Sequence, residues 1–574
     1  MSSPFFRNQV KRFLEANGLR MESLDAYYAF TDDAGAIVAG AGIAGDVLKC
    51  LAVSEEARSE GLLVPLVSRI LSEHPAQNLK VFTKPEYQAV FESLGFHLLA
   101  RAPLAILLEN GRGLEQYCTY LRSFAREGRC GVVVMNANPF TRGHQYLLQQ
   151  AASQVDHLFV IPVKEDLSHF LYAERLAMIK AGAPDGVTVL DGSDYVISAA
   201  TFPTYFLKDL SDAAVTQMQL DTDLYGRWIA PALGASVRFV GSEPFDALTN
   251  HYNQLIPNAV IIPRLQNISA SSVRAALATG HYREAAALCP HTTWPYLLAA
   301  LVERALRLEL DTPGKPGLVG PDGPGAHKDM DYNTMLSGIK ALRPFWARMA
   351  LAGTAEELRQ LGLDAETAMM TATGGVNTHR GAIFCMGLAL NAVGRFRQPA
   401  YNEILIQNAL CDIAGSILCK ELNTNHLDKT PLKGARKIAA SGYQILFEDW
   451  LPYYRNCSAE GPVGFSGASA QKSATEKPTP SAELRLLLRI MSTLDDTCVI
   501  KRVGEERAQE VKREASAVLE EIPGQARNEG TQAWNEGTEA WNERLCARYA
   551  REGISPGGSA DMLALTIFID SIIS

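Results

Sequence analysis

The chain has 574 residues, enough for roughly three to four domains that each bury a hydrophobic core. Its formal net charge of −9 offers no broad basic surface of the kind that binds nucleic acid. The ten cysteines are scattered without CxxC pairs, which favours reduced thiols over disulfides or zinc. No stretch reaches the roughly 18 apolar residues of a membrane span, and the first residues lack an apolar signal segment. We therefore expect a cytoplasmic protein.

Residues 1–112 form the first predicted domain, an α+β module. LAVSEEARSEGLLVPLVSRIL predicts a strand before Arg58 and an amphipathic helix after Gly61. The pattern resembles GNAT acetyltransferases, whose pyrophosphate loop reads Arg or Gln, two residues, Gly, one residue, then Gly or Ala. Leu63 stands at the last position and would crowd the backbone N–H groups that face a pyrophosphate. We therefore favour a docking role for a pantetheine arm or its carrier over independent acetyltransferase activity.

Residues 131–152, GVVVMNANPFTRGHQYLLQQAA, predict a buried strand, a short loop and an amphipathic helix. Asn136, Asn138 and Gly143 have short side chains where a phosphate would approach the backbone, and the helix start supplies free N–H groups. His144 would then donate to the phosphates while a nucleophile attacks the α-phosphate of ATP in line. The alternative is that Thr141 and His144 are ordinary helix caps.

The second motif, ISASSVR at residues 268–274, predicts another helix start. Ser269 and Ser271 can cap the helix, and Arg274 can reach the β- and γ-phosphates of a pyrophosphate leaving group. Either motif alone is compatible with simple capping. Both together, in this order, favour a nucleotidyltransferase site with ATP as the cofactor.

Four strings carry a resemblance to citrate lyase ligase between about residues 20 and 298: NANPFTRGH, ATFPTYFLK, RFVGSEP and IPRLQNISASSVR. The resemblance implies a cytidylyltransferase-like Rossmann α/β domain at 113–298. It also implies acetylation of the prosthetic-group thiol of the citrate lyase carrier subunit from acetate and ATP, through acetyl-adenylate, with release of AMP and pyrophosphate. Thr141 stands where related nucleotidyltransferases carry His, so His144, Arg274 and Lys208 remain as the expected charge neutralisers.

Residues 299–574 predict an all-α domain, because apolar residues recur at helical spacing between loops rich in Gly, Pro and Asp. Three of these loops mix cations, glycines and carboxylates suited to triphosphate and Mg²⁺: DTPGKPGLVGPDGPGAHKDMDYNTM, TGGVNTHRGAIF and LDDTCVIKRVG. Taken singly, such loops are more often connectors, and their aspartates are more often caps.

The same three loops, with SPGGSADMLALTIF at 555–568, resemble the triphosphoribosyl-dephospho-CoA synthase family over residues 296–574. The resemblance implies attack of the 2′-hydroxyl of dephospho-CoA on C1′ of ATP, with loss of adenine, assisted by a carboxylate as in glycoside transfer. Gly320 departs from the family, which usually has Asp after GLV. We assign Lys315, Gly374, Gly375, His379, Arg380 and Arg502 to the triphosphate, and Asp329, Asp331, Asp495 and Asp496 to Mg²⁺ or base roles, with Asp329 and Asp496 as the catalytic pair.

The sequence thus predicts a bifunctional enzyme that prepares and charges the citrate lyase prosthetic group. A separate transferase must attach that group to the carrier, because no segment remains for this step. One alternative is an adenylyltransferase of coenzyme A synthesis fused to a ribosyl-type transferase, which ATFPTYFLK argues against. Another is an inactive carrier-binding scaffold, which the presence of His144, Arg274 and Asp495 argues against.

Overall fold

The computed structural model describes residues 4–75, 77–166, 168–197, 212–242, 246–397, 401–424, 435–459, 481–520 and 536–574. Contacts divide the chain into two compact units, Met1–Ala270 and Ser271–Ser574. Most of the polar segment 457–482, and the first part of a tandem NEGTQAW/NEGTEAW repeat at 528–543, lie outside the described residues.

The first unit alternates strands and helices in chain order. Its elements are α1 (Pro4–Ala16), β1 (Ala26–Thr31), β2 (Ile37–Ala44), β3 (Val47–Val53), α2 (Leu63–Glu73), β4 (Lys80–Thr83), α3 (Gln88–Ser93), β5 (His97–Arg101), β6 (Ile106–Glu109), α4 (Gly113–Arg122), β7 (Cys130–Met135), α5 (Arg142–Ala152), β8 (His157–Pro162), α6 (Tyr172–Gly182), β9 (Val187–Val189), α7 (Asp212–Leu224), α8 (Ala230–Leu233), β10 (Ala235–Gly241), α9 (Ala247–Leu255) and β11 (Ala259–Ile262). The predicted strand and helix around Arg58 and Gly61 are confirmed.

The six strands β1–β6 form a mixed sheet in the order β1-β2-β3-β4-β6-β5. Strands β3 and β4 run parallel, and the other neighbours are antiparallel. Apolar side chains of α2, including Leu66 and Ile70, pack on one face of this sheet. Leu63, the first residue of α2, also packs against this core.

The five strands β7–β11 form a parallel sheet in the order β11-β10-β7-β8-β9. Strand β7 reads CGVVVM and is almost fully buried, as a central parallel strand covered on both faces should be. In open parallel sheets, ligands bind at the edge formed by the carboxyl ends of the strands. Because β7 is the central strand, its carboxyl end lies at the middle of that edge.

The two sheets of the first unit share one hydrophobic core. Leu99 and Leu107 of the mixed sheet pack with Leu114 and Leu121 of α4 and with Val132 of β7. The Trp228 indole N–H donates to the Leu99 carbonyl at 2.8 Å. The expected boundary at residue 112 is therefore crossed by a common core.

The described residues of the second unit form helices and connecting segments, apart from one isolated bridge between Gly320 and Gly323. The helices are α10 (Ala270–Thr279), α11 (Tyr282–Ala287), α12 (Trp294–Asp311), α13 (Tyr332–Leu351), α14 (Ala355–Ala372), α15 (Arg380–Gly394), α16 (Glu403–Thr424), α17 (Ala435–Ala440), α18 (Leu451–Ala459), α19 (Ala482–Thr493), α20 (Thr497–Glu520), α21 (Glu536–Glu552) and α22 (Gly557–Ile573).

Helices α12 and α22 form the centre of this bundle. Helix α22 reads GGSADMLALTIFIDSII and is buried along most of its length, where it packs against α12, α15 and α19. The expected boundary after residue 298 falls inside α12, between Leu298 and Ala299, which are both buried. A cut there would split a core helix. Among the described residues, no helix is both long enough and apolar enough to cross a bilayer.

Candidate functional sites

The β7–α5 corner, residues 135–144, has the predicted strand–loop–helix form. Thr141 is the N-cap of α5, and its buried hydroxyl accepts the His144 backbone N–H. The first turn of α5 contains no acidic residue, so its N–H groups and positive dipole end are not neutralised from within the helix. A Cβ on Gly143 would lie 3.4 Å from Thr141 Oγ1, an acceptable distance, so packing alone does not require glycine there.

The His144 ring is held in one tautomer. The Thr141 backbone N–H donates to Nδ1 at 3.0 Å, so Nδ1 accepts and the ring proton resides on Nε2. Burial, followed by the positive charge of Arg264, lowers the pKa of His144 to about 4. His144 can therefore donate a hydrogen bond from Nε2, but it is neutral near pH 7. This disagrees with the expectation that it neutralises phosphate charge.

Asn136 and Asn138 are held by the segment that follows β8. Asn138 Oδ1 accepts the Phe170 N–H at 3.0 Å, and Asn136 exchanges hydrogen bonds with Ser168. Arg175 of α6, which is fully buried, donates to the backbone and side-chain oxygens of Asn136, both at 2.9 Å. It also donates to the carbonyls of Val163, Glu165 and Phe170. Sequence reasoning missed Arg175, because nothing distinguishes it from other arginines on helices.

The two motifs of the first half meet at Ile268, the first residue of ISASSVR. A Cβ on Gly143 would lie 3.5 Å from Ile268 Cγ2, so the second motif begins against the start of α5. The Arg264 guanidinium donates to the Ile268 carbonyl at 3.2 and 3.3 Å, and its backbone N–H donates to Ser242 Oγ after β10. Arg264 is thus a cation close to His144 that sequence reasoning missed, although it stands in the quoted string IPRLQN.

The rest of the second motif opens α10. Ser269 immediately precedes the first residue of α10, as a cap would. Ser271 lies inside the first turn, and its hydroxyl accepts from Arg274 Nη2 at 3.1 Å, so it supports Arg274 instead of capping the helix. Lys208 lies outside the described residues.

In the second unit, the loop after α12 has two parts. Lys315 is buried and donates to the carboxylate of Glu309 at 2.5 Å, so its charge is already paired. Farther along, His327 accepts from or donates to Ser555 Oγ at 2.8 Å and lies 3.8 Å from Asp329. Burial, followed by the charge of Arg502, lowers the pKa of His327. The structure therefore brings parts of two predicted loops and the C-terminal motif together at His327.

The four predicted aspartates do not form a cluster. Asp331 caps α13 by accepting the Thr334 N–H at 2.8 Å, and Asp495 pairs with Lys512 at 2.9 Å. Asp496 is buried, where one oxygen accepts the Ser559 N–H and O–H and the other accepts the Cys498 N–H. In the described part of the chain, no three His, Cys, Asp or Glu side chains are arranged so that they could hold a metal ion.

These placements leave a narrower set of candidates for Mg²⁺. Mg²⁺ usually binds one or two carboxylates together with substrate phosphates. Asp329, Asp331 and Asp495 are exposed, so each is open to an ion that substrate phosphates also hold. Asp496 does not fit, because its oxygens already accept hydrogen bonds inside the protein.

The glycines of TGGVNTHRGAIF end a helix instead of starting one. Gly374 and Gly375 have φ of 67° and 91°, and the Gly375 N–H donates back to the Met370 carbonyl of α14. This is a left-handed helix C-cap, which uses the N–H that a phosphate would need. Arg380 is exposed and pairs with Glu366, while His379 is buried in front of α15. The two glycines therefore end α14 and do not open α15, and their role in binding phosphate stays a prediction.

A cluster of ionisable groups that the sequence reasoning did not assign lies in the interior of the bundle. Glu309, Lys315, His379 and Asp496 are each at least 90% buried, and Asp561 of α22 interacts electrostatically with Glu309 and Asp496. Asp561 could have been noticed in the sequence, because it is a lone acid at the start of the apolar run DMLALTIF. We call these five residues the buried charge cluster.

Comparison with known proteins divides the chain in two. The family model for the citrate lyase ligase C-terminal domain matches residues 130–297, and that for ATP:dephospho-CoA triphosphoribosyl transferase matches residues 295–574. A solved bifunctional NMN adenylyltransferase/ADP ribose pyrophosphatase from Francisella tularensis aligns over 33% of this chain and 58% of its own, at 14% identity and a TM-score of 0.21, too low to support an argument.

Two relatives match one half each. The [citrate [pro-3S]-lyase] ligase of Escherichia coli K12 is 39% identical over 315 residues, which are 50% of this chain and 89% of the relative. The 2-(5''-triphosphoribosyl)-3'-dephosphocoenzyme-A synthase of Klebsiella pneumoniae is 33% identical over 272 residues, 45% of this chain and 88% of the relative. The chain therefore belongs to the citrate lyase ligase family through its N-terminal half and to the triphosphoribosyl-dephospho-CoA synthase family through its C-terminal half.

Proposed function

We propose that this chain is a bifunctional maturation enzyme of citrate lyase. One half acetylates the prosthetic-group thiol of the carrier subunit, and the other makes the triphosphoribosyl-dephospho-CoA precursor of that group. The observation that carries the proposal is that each half matches most of the length of a relative with one of these activities. Both halves use ATP, as the names of the matched families and the chemistry of the two reactions require.

In the ligase reaction, an acetate oxygen attacks the α-phosphate of ATP, and pyrophosphate leaves. The carrier thiol then attacks the carbonyl of acetyl-adenylate, which forms the thioester and releases AMP. We assign phosphate binding to the start of α5 and to Nε2 of His144, which supply donors without needing a charge. Arg264, close to His144, supplies the positive charge. The remaining ATP-binding assignments stay as predicted: Asn136, Asn138, Thr141, Gly143, Lys208, Ser269, Ser271 and Arg274.

In the synthase reaction, the 2′-hydroxyl of dephospho-CoA attacks C1′ of the ATP ribose, and adenine leaves. Such displacements pass through a transition state with positive charge on the ribose, which nearby carboxylates stabilise. We propose that one or two of the exposed carboxylates Asp329, Asp331 and Asp495 hold Mg²⁺ together with the triphosphate. His327 lies 3.8 Å from Asp329, and the charge of Arg502 helps to lower the pKa of His327, which supports assigning His327 and Arg502 to the phosphate oxygens.

We further propose the finer architecture: a GNAT-like module at 1–112, a cytidylyltransferase-like Rossmann domain at 113–298 and an all-α synthase domain at 299–574. The order β11-β10-β7-β8-β9 of the parallel sheet supports the second assignment, and the helical second unit supports the third. The GNAT-like module would dock the pantetheine arm of the carrier. A cytoplasmic location and a separate transferase that attaches the prosthetic group belong to the same proposal.

The proposal is tested with the full chain in two assays. Mass spectrometry of deacetylated holo carrier, after incubation with the chain, ATP and acetate, should show the acetyl thioester, and samples without acetate should not. Chromatography should show release of adenine from ATP that depends on dephospho-CoA. Absence of either product from a folded, soluble chain would contradict the corresponding half of the proposal.

A further inference from the structure

The buried charge cluster contains more acids than cations. Asp561 interacts electrostatically with the carboxyl groups of Asp496 and Glu309, and the lysine of the cluster is already bound to Glu309 at 2.5 Å. Asp496 is fixed as an acceptor by the Ser559 N–H and O–H. Three negative charges beside one positive charge are costly in a protein interior, so one carboxyl group should keep its proton.

Asp561 is the least buried residue of this cluster. It retains partial solvent exposure, whereas Glu309 and Asp496 are 6% and 7% exposed. Its carboxyl group lies against the first turn of α15: a Cβ on Gly381 would fall 1.8 Å from Asp561 Oδ2. Only glycine at position 381 leaves room for the acid.

A second observation that points to a ligand comes from His379, two residues before Gly381. His379, the residue before α15, is 4% exposed, and its Nε2 atom has no hydrogen-bond partner among the described residues. Its Nδ1 is 2.8 Å from Thr378 Oγ1. Burial and the charge of Lys315 lower the pKa of His379 to about 4, so the ring is neutral near pH 7. A buried polar nitrogen without a partner is costly, and a ligand atom would satisfy it.

We propose that Asp561 is the general acid that protonates the departing adenine, and that His379 hydrogen-bonds the same nucleotide. This rests on the proposed synthase function. The bond between C1′ and N9 breaks, and its electron pair goes to the base. The Asp561 carboxyl proton goes to a ring nitrogen of adenine, and the bond from the 2′-oxygen of dephospho-CoA to C1′ forms. The proton of that hydroxyl returns to the Asp561 carboxylate, so the acid is regenerated.

The protonation state of Asp561 agrees with this role. Burial is the main cause that raises the pKa of Asp561 well above its ordinary value, and the charges of Asp496 and Glu309 raise it further. The hydrogen bond from the Ala382 N–H lowers this pKa but does not cancel the increase. The other titratable groups that influence it from neighbouring elements, or are influenced by it, are Cys385, Tyr443 and Cys498, all of which have raised pKa values and are uncharged near pH 7.

The test is Asp561→Asn in the full chain, with Asp570→Asn on the same helix as the matched control. General acid catalysis contributes roughly 100-fold to 10,000-fold, so adenine release by Asp561→Asn at pH 7 should fall by at least about 100-fold. Its remaining rate should rise as the pH falls, because solvent must now supply the proton. The wild-type rate should fall at high pH, where Asp561 ionises. Asp570→Asn should keep the wild-type profile.

ATP methylated at N7 gives a second measurement, because its base leaves without a proton. With that nucleotide, Asp561→Asn should recover to within about tenfold of the wild-type rate. The assignment is overturned if Asp561→Asn releases adenine normally, or if its loss is the same fraction at every pH. If the wild type rejects the methylated nucleotide, the pH profiles decide alone. A wild type without adenine release would instead remove the synthase function itself.

Discussion

The β7–α5 corner and the buried charge cluster, the two proposed reaction sites, differ in the chemistry of their side chains. The corner has backbone N–H groups at a helix start, short polar side chains and a neutral histidine, with Arg264 as a nearby cation. The cluster brings together five ionisable side chains of a helical bundle, four of them at least 90% buried. Attack on the α-phosphate is assisted by hydrogen-bond donors held against the phosphate oxygens. Departure of adenine is assisted by an acid that gives the base a proton. The contrast suggests that each region is built for the demand of its own reaction.

The largest effect should come from Arg264→Met, which tests whether the corner depends on a charge from outside the motif. Because His144 is neutral, it cannot replace the lost cation, and acetate-dependent pyrophosphate release should fall roughly 100-fold to 1000-fold. The histidine pKa, followed by NMR, should rise, because the charge of Arg264 helps to lower it.

Arg227→Met is the matched control, since Arg227 is half exposed and pairs with Asp223. Adenine release should stay unchanged in both variants. Normal pyrophosphate release by a folded Arg264→Met protein would show that the charge comes from elsewhere.

Arg175→Met should lower the rate of acetate-dependent pyrophosphate release by a smaller factor. The arginine joins the end of β7 to the segment after β8 through five acceptors, so its loss should let Asn136 and the loop at 168–170 move. Misplacement of about 1 Å can cost roughly 100-fold in rate, and we expect a loss of about 10-fold to 100-fold in pyrophosphate release. Arg175→Lys should recover part of it. An unchanged rate in Arg175→Met would show that this clamp does not position the site.

Asp496→Asn separates a structural acid from the proposed catalytic acid in the cluster. Both Asp496 oxygens accept from N–H groups, so the amide of Asn would place a donor against a donor. The unfolding free energy of the second unit should fall by about 1–3 kcal/mol, seen as a lower melting temperature. Asp364→Asn on the exposed face of α14 should leave it unchanged.

Asp561→Asn, unlike Asp496→Asn, should not lower the melting temperature. A carboxyl whose pKa is raised by folding destabilises the folded state above its ordinary pKa, so removing it should leave the melting temperature equal or higher near pH 7. A melting temperature lowered as far as that of Asp496→Asn would contradict the distinction between the two acids.

The smallest expected effect is the pH dependence of stability that comes from His144. Folding lowers the pKa of His144 from 6.5 to about 4, so the unfolded chain takes up the proton first as the pH falls. The contribution of His144 to the free energy of unfolding is fully present above its ordinary pKa of 6.5. This contribution is lost as the pH falls from 6.5 towards about 4. His144→Asn should therefore lose less melting temperature than the wild type between pH 7 and pH 4.5, and an identical loss would place His144 in a solvated environment.

Sequence reasoning predicted features that depend on local pattern. The strand at Cys130–Met135 and the helix at Arg142–Ala152 follow from a β-branched run and an amphipathic repeat beside turn residues. The helical second half follows from apolar spacing in the same way. In both regions the pattern of a few neighbouring residues decides the structure.

The contacts that the sequence did not predict depend on distant partners. Lys315 was expected on the triphosphate, but Glu309 of the preceding helix is close enough in space to pair with it. Gly374 and Gly375 were expected to open a helix, yet two adjacent glycines serve equally well to end the previous one. The raised pKa of Asp561 arises from acids that are distant in sequence, Asp496 and Glu309, which no local pattern reveals.

The central claim, that one chain carries two separate reaction sites, is tested most directly by crossing two substitutions with two assays. In the full chain, His144→Ala should lower acetate-dependent pyrophosphate release roughly 100-fold to 1000-fold and leave dephospho-CoA-dependent adenine release intact. Asp561→Asn should do the reverse. His157→Ala, at the opposite end of the parallel sheet from the corner, should affect neither. If either His144→Ala or Asp561→Asn lowers both reactions to the same extent in a folded protein, the two activities do not have separate sites.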